Sequence, residues 1–506
     1  YLTPILVMVF GVAYSIYFLI KFRENYHGGE SVHNALRASI TKIGLAAFLT
    51  SITTAIGFCS LSVTNIVIMR HFGYAVGFGA FITFVITLLM LPQLLDRFPP
   101  PRSRTTPIQR GIRHRWLEST IRLTERRPFV IIGLTGALMA FAIYGTTQVS
   151  TESYLLDDVR PGNRVYDDQH YIERTMGDIL PFDVVVRTSE ADGIKSPDVL
   201  REIQQLQAFL AEQPEIGTAV SIVDYLRLLN NAMNPEQGRA LPDSRDAMAQ
   251  YLLLYSFETE DDVLSRYVNY DYSAARIMSR VEDVGSIQMD SLKQRIQRFV
   301  AQEISPDLKV ELTGGTLLAL QRNEYMVRNL LSSFILAFSL IFLIMILLFR
   351  SIKVAGISLI PNVLPMLACA GFMGLVGIRL IPSTAMTFAI AIGIAVDDTI
   401  HFLARFRQEY LDLQDPGEAC RVTLRSTGTA MISTTIVLFI GFATLLTSNF
   451  AASSNFGIVS LVTLAAAILG DLYFLPVLLR KYHPRMDERT KMKDAPKGFL
   501  RKKMKD

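Results

Sequence analysis

Nine stretches of mostly apolar residues alternate with polar segments along this chain, at approximately 1–20, 43–63, 72–95, 129–148, 329–349, 355–378, 383–404, 428–447 and 456–479. A helix needs about 20 such residues to cross a hydrocarbon layer roughly 30 Å thick. The pattern therefore predicts a polytopic α-helical membrane protein. Between the fourth and fifth stretches, residues 149–328 are far more polar and their periodicity changes. "FDVVVRT" (182–188), "GTAVSIVD" (217–224), "SAARIMSRV" (273–281) and "LKVELTG" (308–314) read as strands, while 197–213 and 286–304 show helical spacing. Two successive βαβ units predict an external ferredoxin-like α+β domain, with 223–270 as a helical insertion.

Half of the 506 residues are hydrophobic, and the net charge of +4 is unevenly placed. Residues 96–128 carry nine arginines, and Arg350, Lys353, Arg405, Arg407 and the tail from Arg480 to Lys505 are also basic. If nine helices alternate, all of these fall on one side, which the positive-inside rule makes cytoplasmic. The charge then reflects topology, and no nucleic-acid partner is expected. The large loop falls on the opposite side, which in a bacterial inner membrane is the periplasm. Within 97–128, "RFPPPRSRTTP" reads as a linker. Ile108, Ile112, Trp116 and Leu123 then mark one face of an amphipathic helix lying on the membrane surface.

Shifting the chain by 384 residues lays "FLIKFRENY" (18–26) over "FLARFRQEY" (402–410) without a gap, with 25 identities between 10–98 and 394–482. Arg37 meets Arg421, Gly44 meets Gly428, Asn65 meets Asn449 and Leu91-Pro92 meets Leu475-Pro476. Shared apolar composition does not produce agreement at arginine, glycine, asparagine and proline together. The bundle is internally duplicated. The organisation expected is 1–98 as the end of a first repeat, 99–128 as a basic linker and 129–148 as the first helix of a second repeat. The external porter-like domain follows at 149–328, then the five remaining helices at 329–482 and a basic tail at 483–506. The chain is expected to be a fragment whose first repeat is completed by an N-terminal half of the same protein. Parallel repeats place functional sites where the halves meet.

The seventh stretch contains "AIGIAVDDTIHFLARFR" (391–407), with two adjacent acids, Asp397 and Asp398, about two thirds of the way across. A carboxylate at such depth costs on the order of 3 kcal/mol or more and typically faces a bundle interior on an ion or proton path. No Lys or Arg lies deep in the nine stretches to neutralise them. Asp397 and Asp398 are therefore candidate proton-relay groups, titrating as a coupled unit. His401 shares a face with Asp397 one turn on. It is a relay candidate, although a hydrogen bond within its own helix is the more ordinary role. Thr434 and Thr435 could solvate a carboxylate or pack helices. Tyr14 stands in the first repeat where Asp398 stands in the second, and its hydroxyl is expected to reach Asp397 in preference to Asp398, directly or through one water. Asp471, in the last stretch, is expected to hydrogen-bond structurally. No catalytic triad or metal spacing appears in 149–328, where His170 is the only histidine, and Cys59, Cys369 and Cys420 imply no disulfide framework. No enzyme, metal or bound cofactor is expected, only the proton as coupling ion.

The "GIAVDD" run, the duplication and the external α+β loop resemble the resistance–nodulation–division (RND) transporters, most closely their lipid- and hydrophobe-exporting branch of MmpL-type and hopanoid exporters. The resemblance implies proton-motive-force-driven export of a hydrophobic or amphiphilic substrate. Membrane lipids and a homo-oligomeric copy count among the partners it suggests. By motif match it assigns the relay to Asp397 and Asp398, with Thr434 and Thr435 in support. Two other classes share the plan: a SecDF-like subunit of protein translocation and a Patched-like sterol-sensing receptor.

Overall fold

The computed structural model describes residues 2–482, except 28–29, 64–66, 101–106, 153, 155–158, 160–161, 177–178, 239, 243 and 259–262. The basic tail 483–506, Asn65 and the middle of the Pro/Arg linker thus lie outside the described residues. The chain forms two compact units, one built of the long apolar helices and one of residues 152–325.

The helical unit begins with α1 (Leu2–His27), α2 (Val32–Cys59), α3 (Val67–Arg97), α4 (Pro107–Arg126) and α5 (Pro128–Thr146). The second unit holds α6 (Arg164–Met176), β1 (Leu180–Arg187), α7 (Pro197–Ala211), β2 (Ile216–Val220), α8 (Ile222–Met233), α9 (Arg245–Glu258), β3 (Ala274–Val281), α10 (Gly285–Glu303) and β4 (Lys309–Thr313). The chain continues as α11 (Gly315–Phe349), α12 (Ile352–Val376), α13 (Pro382–Leu413), α14 (Pro416–Ala443), α15 (Ala451–Leu469) and α16 (Leu475–Tyr482). A π turn, Gly470–Phe474, joins the last two into one crossing. Among the described residues, nine helical segments are long and apolar enough to cross a membrane. Helix α11 starts 14 residues before the apolar stretch at 329. Hydropathy marks only the span, whereas the helical hydrogen bonds run on through polar residues.

In the α+β unit the four strands form an antiparallel sheet ordered β2-β3-β1-β4. That is the ferredoxin-like arrangement, with α7 and α10 as crossovers and α8 and α9 between the two βαβ halves. Alternation on β1 buries Phe182, Val184 and Val186 against Leu206 of α7 and Leu292 and Ile296 of α10. Asp183 points the other way and is held by Arg276 on β3 at 2.6 Å. Ser221 caps α8 through a reciprocal pair of bonds with Asp224.

The helical unit is organised around α13. In its most apolar stretch 94% of the residues are buried, against 17% in α5 and 22% in α3. Pro382 starts the helix at its first position, and Gln414 in the left-handed region (φ 58°) ends it. The duplication is visible in how the copies interlock. Gly57 of α2 faces Gly393 of α13, where an added Cβ would lie 3.7 Å from the Gly393 backbone. At the equivalent positions 384 residues away, Gly441 of α14 faces Val9 of α1, 3.2 Å from where its Cβ would be. Each motif helix thus packs on the second helix of the other copy. Helices α5 and α12 approach more closely still. A Cβ on Gly374 would sit 1.9 Å from the Gly145 carbonyl oxygen.

The amphipathic helix α4 is present, but the face it buries differs from the expected one. Leu117, Thr120, Ile121 and Thr124 are buried, while Trp116 and Leu123 are each 39% exposed. The side chains of Ile108 and Ile112 lie outside the described set. The two threonines tolerate burial because their hydroxyls return to carbonyls of their own helix. Ion pairs fasten the helix to the bundle, Glu118 to Arg425 at 2.8 Å and Glu125 to Arg421 at 2.9 Å. It is docked on protein along this face.

Candidate functional site

Four helices meet at the acidic pair. Helix α13 carries Asp397, Asp398 and His401, α1 carries Tyr14 and Tyr17, α2 carries Thr50 and Thr54, and α14 carries Thr434 and Thr435. All nine side chains are buried. Two adjacent residues of a helix point about 100° apart, so the two carboxylates have different neighbours.

Asp398 Oδ1 accepts a hydrogen bond from the Tyr17 hydroxyl at 2.5 Å, a link between the two copies. The length is that of a charge-assisted O–H···O bond. Thr434 lies beside the same tyrosine hydroxyl, and its own hydroxyl also bonds back to Met431. Asp397 is placed differently. Its Oδ1 has no hydrogen-bond partner among the described residues and sits 3.7 Å from His401 Nε2, too far for a hydrogen bond. Thr50, the repeat equivalent of Thr434, presents its hydroxyl to this acid. The His401 ring stacks on Tyr17, with centroids 4.0 Å apart and planes 14° apart. Its Nε2 makes no hydrogen bond.

The direct hydrogen bond to Asp398 is made by Tyr17, one turn further along α1 than Tyr14. Tyr14 is buried with Asp397 and Thr54 as polar neighbours, but its hydroxyl forms no hydrogen bond among the described residues. Thr435 bonds only within α14, to Met431. Tyr17 and Thr50 were not singled out by the motif, although the duplication contains the signal: they stand 384 residues from His401 and Thr434.

A second polar centre flanks the pair. Thr399 donates to Asp471 Oδ1 at 2.6 Å and lies 3.0 Å from Asn362 Oδ1. Asp471 sits in the π turn and is fully buried, and its Oδ2 has no partner among the described residues. It hydrogen-bonds as expected, but to the residue next to Asp398. No cluster of metal-ligating side chains occurs among the described residues.

Comparison with known proteins fits this architecture. The sequence pattern of the MMPL family matches residues 1–131 and 174–497. The chain belongs to the MMPL family. The MMPL family falls within the RND superfamily. A membrane protein of Methanocaldococcus jannaschii is 23% identical over 377 residues, 72% of this chain and 93% of that protein. The hopanoid transporter of Burkholderia multivorans is 32% identical over 97 residues, 19% of this chain and 11% of the transporter. That of Rhodopseudomonas palustris is 23% identical over 247 residues, 47% of this chain and 28% of the transporter. The chain thus spans less than a third of either hopanoid transporter. In fold it is similar to SecDF in a super-membrane-facing form, with a TM-score of 0.51, 14% identity and coverage of 97% of this chain and 54% of that one.

Proposed function

We propose that this MMPL chain forms the coupling part of a proton-motive-force-driven exporter of hydrophobic or amphiphilic molecules, lipids among them. The observation that carries the reading is the Tyr17–Asp398 bond between the two copies, beside an Asp397 oxygen with no donor. A buried carboxylate needs a positive partner or hydrogen-bond donors to stay ionised. Asp398 has a neutral donor, which stabilises the ionised form without a permanent opposite charge. Asp397 has one oxygen, Oδ1, with no donor among the described residues, and it is the acid assigned to carry the proton. Its loading and release alter the polar contacts between α13 and the helices of the first copy, and that change is what would drive export. The likeness to hopanoid transporters supports a lipid-type substrate, and the low identity leaves the particular lipid open to experiment.

The test is transport by the whole protein in proteoliposomes under an imposed pH gradient. Asp397→Asn and Asp398→Asn should each abolish proton-coupled lipid movement while the membrane level is maintained. Wild-type transport by the double variant would sink the reading. The likeness to SecDF favours one rival, which the same preparation addresses: stimulation of protein translocation, with no lipid movement, would favour that role.

A further inference from the structure

One turn beyond the acids, toward the basic ends of α1 and α13, lies a cavity of about 60 Å³. A buried water needs roughly 10–15 Å³ of such space, so the cavity has room for about four. Its polar lining comprises Tyr17, Lys21 and Glu24 from α1 and His401, Arg405 and Gln408 from α13, with Ser426 and Thr427 of α14. These are repeat equivalents: 17 with 401, 21 with 405 and 24 with 408. The cavity therefore lies on the pseudo-twofold axis between the copies. Its charged groups are paired, Lys21 with Glu24 at 2.8 Å and Arg405 with Glu409 at 2.7 Å and Glu24 at 3.4 Å, while Arg405 Nε has no hydrogen-bond partner among the described residues. Such a lining favours water over lipid chains. Glu24 and Gln408 are exposed, whereas Tyr17 and His401 at the other end are buried.

We propose that this cavity is the hydrated mouth through which the coupling proton leaves toward the basic, cytoplasmic side, and that the stacked Tyr17–His401 pair is its gate. The inference rests on the proton-relay reading above. In the structure the path is interrupted at one place, the 3.7 Å between Asp397 Oδ1 and His401 Nε2. A hydrogen bond needs about 3 Å, so a small rotation of the imidazole closes the gap. The proton then passes from the Asp397 carboxyl to His401 and on to a cavity water, leaving a carboxylate behind. Tyr17 restricts that rotation by covering one face of the ring. An aromatic lid of this kind keeps the acids dry while export-competent contacts form, and one residue bears both the lid and the donor to Asp398.

The test has two parts. In a background with Cys59, Cys369 and Cys420 replaced by Ala, Ala404→Cys places a thiol at the cavity wall. A membrane-impermeant cationic methanethiosulfonate should label it from the cytoplasmic face of oriented vesicles and not from the opposite face. Ala389→Cys, two turns on the other side of the acids and fully buried, should resist labelling from the cytoplasmic face. Failure of Ala404→Cys to react, or equal labelling from both faces, would overturn the mouth, whether or not the acids couple transport. In the second part, His401→Phe keeps the stack but removes the proton acceptor. It should lower proton-coupled lipid movement at least tenfold while leaving the membrane level and the melting temperature in detergent unchanged. Unchanged coupling in His401→Phe, with Asp397→Asn still inactive, would remove the gate and leave the relay standing.

Discussion

Tyr17 and His401 are the same position in two copies of one motif, 384 residues apart, and their rings stack 4.0 Å from each other. A residue meets its own repeat equivalent only on the axis that relates the copies. The acidic pair one turn away is therefore at the interface of the halves, and the link to Asp398 comes from the copy whose motif holds Ala13-Tyr14 in place of the two acids.

The tyrosines of α1 should differ sharply. Tyr17→Phe removes a donor to a carboxylate, a bond worth about 1.5–3 kcal/mol. Proton-coupled lipid movement by the whole protein should fall by roughly tenfold to a hundredfold, following that energy. Tyr14→Phe removes a hydroxyl that makes no hydrogen bond among the described residues and should stay within about twofold. Equal losses in the two variants would mean that the hydroxyl at 14 engages the acids during the cycle.

Thr399→Val should act on stability first. It keeps the shape of the side chain and deprives Asp471 Oδ1 of its donor. Leaving a buried acceptor unsatisfied costs about 1–3 kcal/mol. Thermal unfolding in detergent should shift downward by several degrees, and Thr399→Ser should restore most of the loss.

Close helix contact sets the third expectation. Gly374→Ala would put a Cβ 1.9 Å from the Gly145 carbonyl, so α5 and α12 must separate. Folded yield and melting temperature should drop. Gly136→Ala in α5, which meets nothing within 4 Å, should be neutral or slightly favourable, because alanine is the better helix former.

In the α+β unit, Arg276→Met should be costly. Asp183 is almost wholly buried and Arg276 is its ion-pair partner. Removing one partner of a buried pair costs about 3–5 kcal/mol, tempered here because Arg276 is itself 43% exposed. A fall in resistance to proteolysis within 152–325 would register it. Exchange to Asp183→Asn in the same background should recover part of the loss by removing the stranded charge.

Much of the fold was legible because its signals are periodic. Twenty-residue apolar runs mark spans, and period-two alternation marked all four strands of the sheet. The acidic pair was legible because carboxylates are rare at such depth. The hydrogen-bond partners were harder to read. Tyr14 follows from aligning the motif column by column, but Asp398 bonds at the level of the Tyr17–His401 stack and not to its own repeat equivalent. The hydroxyl that reaches Asp398 therefore comes from 17, one turn down. The face of α4 was misread for a related reason. Hydrophobicity favoured Trp116 and Leu123, whereas threonines that satisfy their own hydroxyls allowed 117, 120, 121 and 124 to be the buried set.

The unequal motif helices have an energetic consequence. Of the two equivalent positions on the axis, one holds Asp397-Asp398 and the other Ala13-Tyr14. On the proton-coupled reading proposed above, acids on both would make two charge-moving centres, and this pair of helices would have one. A single charge moved through 100 mV yields about 2.3 kcal/mol. One proton per turnover at about 150 mV then supplies roughly 3.5 kcal/mol, enough to sustain a gradient of a few hundredfold and no more. Extracting an acyl chain outright from a bilayer, at about 0.8 kcal/mol per buried methylene, lies well beyond that supply. On that proposal one proton per turnover would require an apolar path that keeps the substrate's chains covered throughout, so that the proton would work only against the difference in concentration.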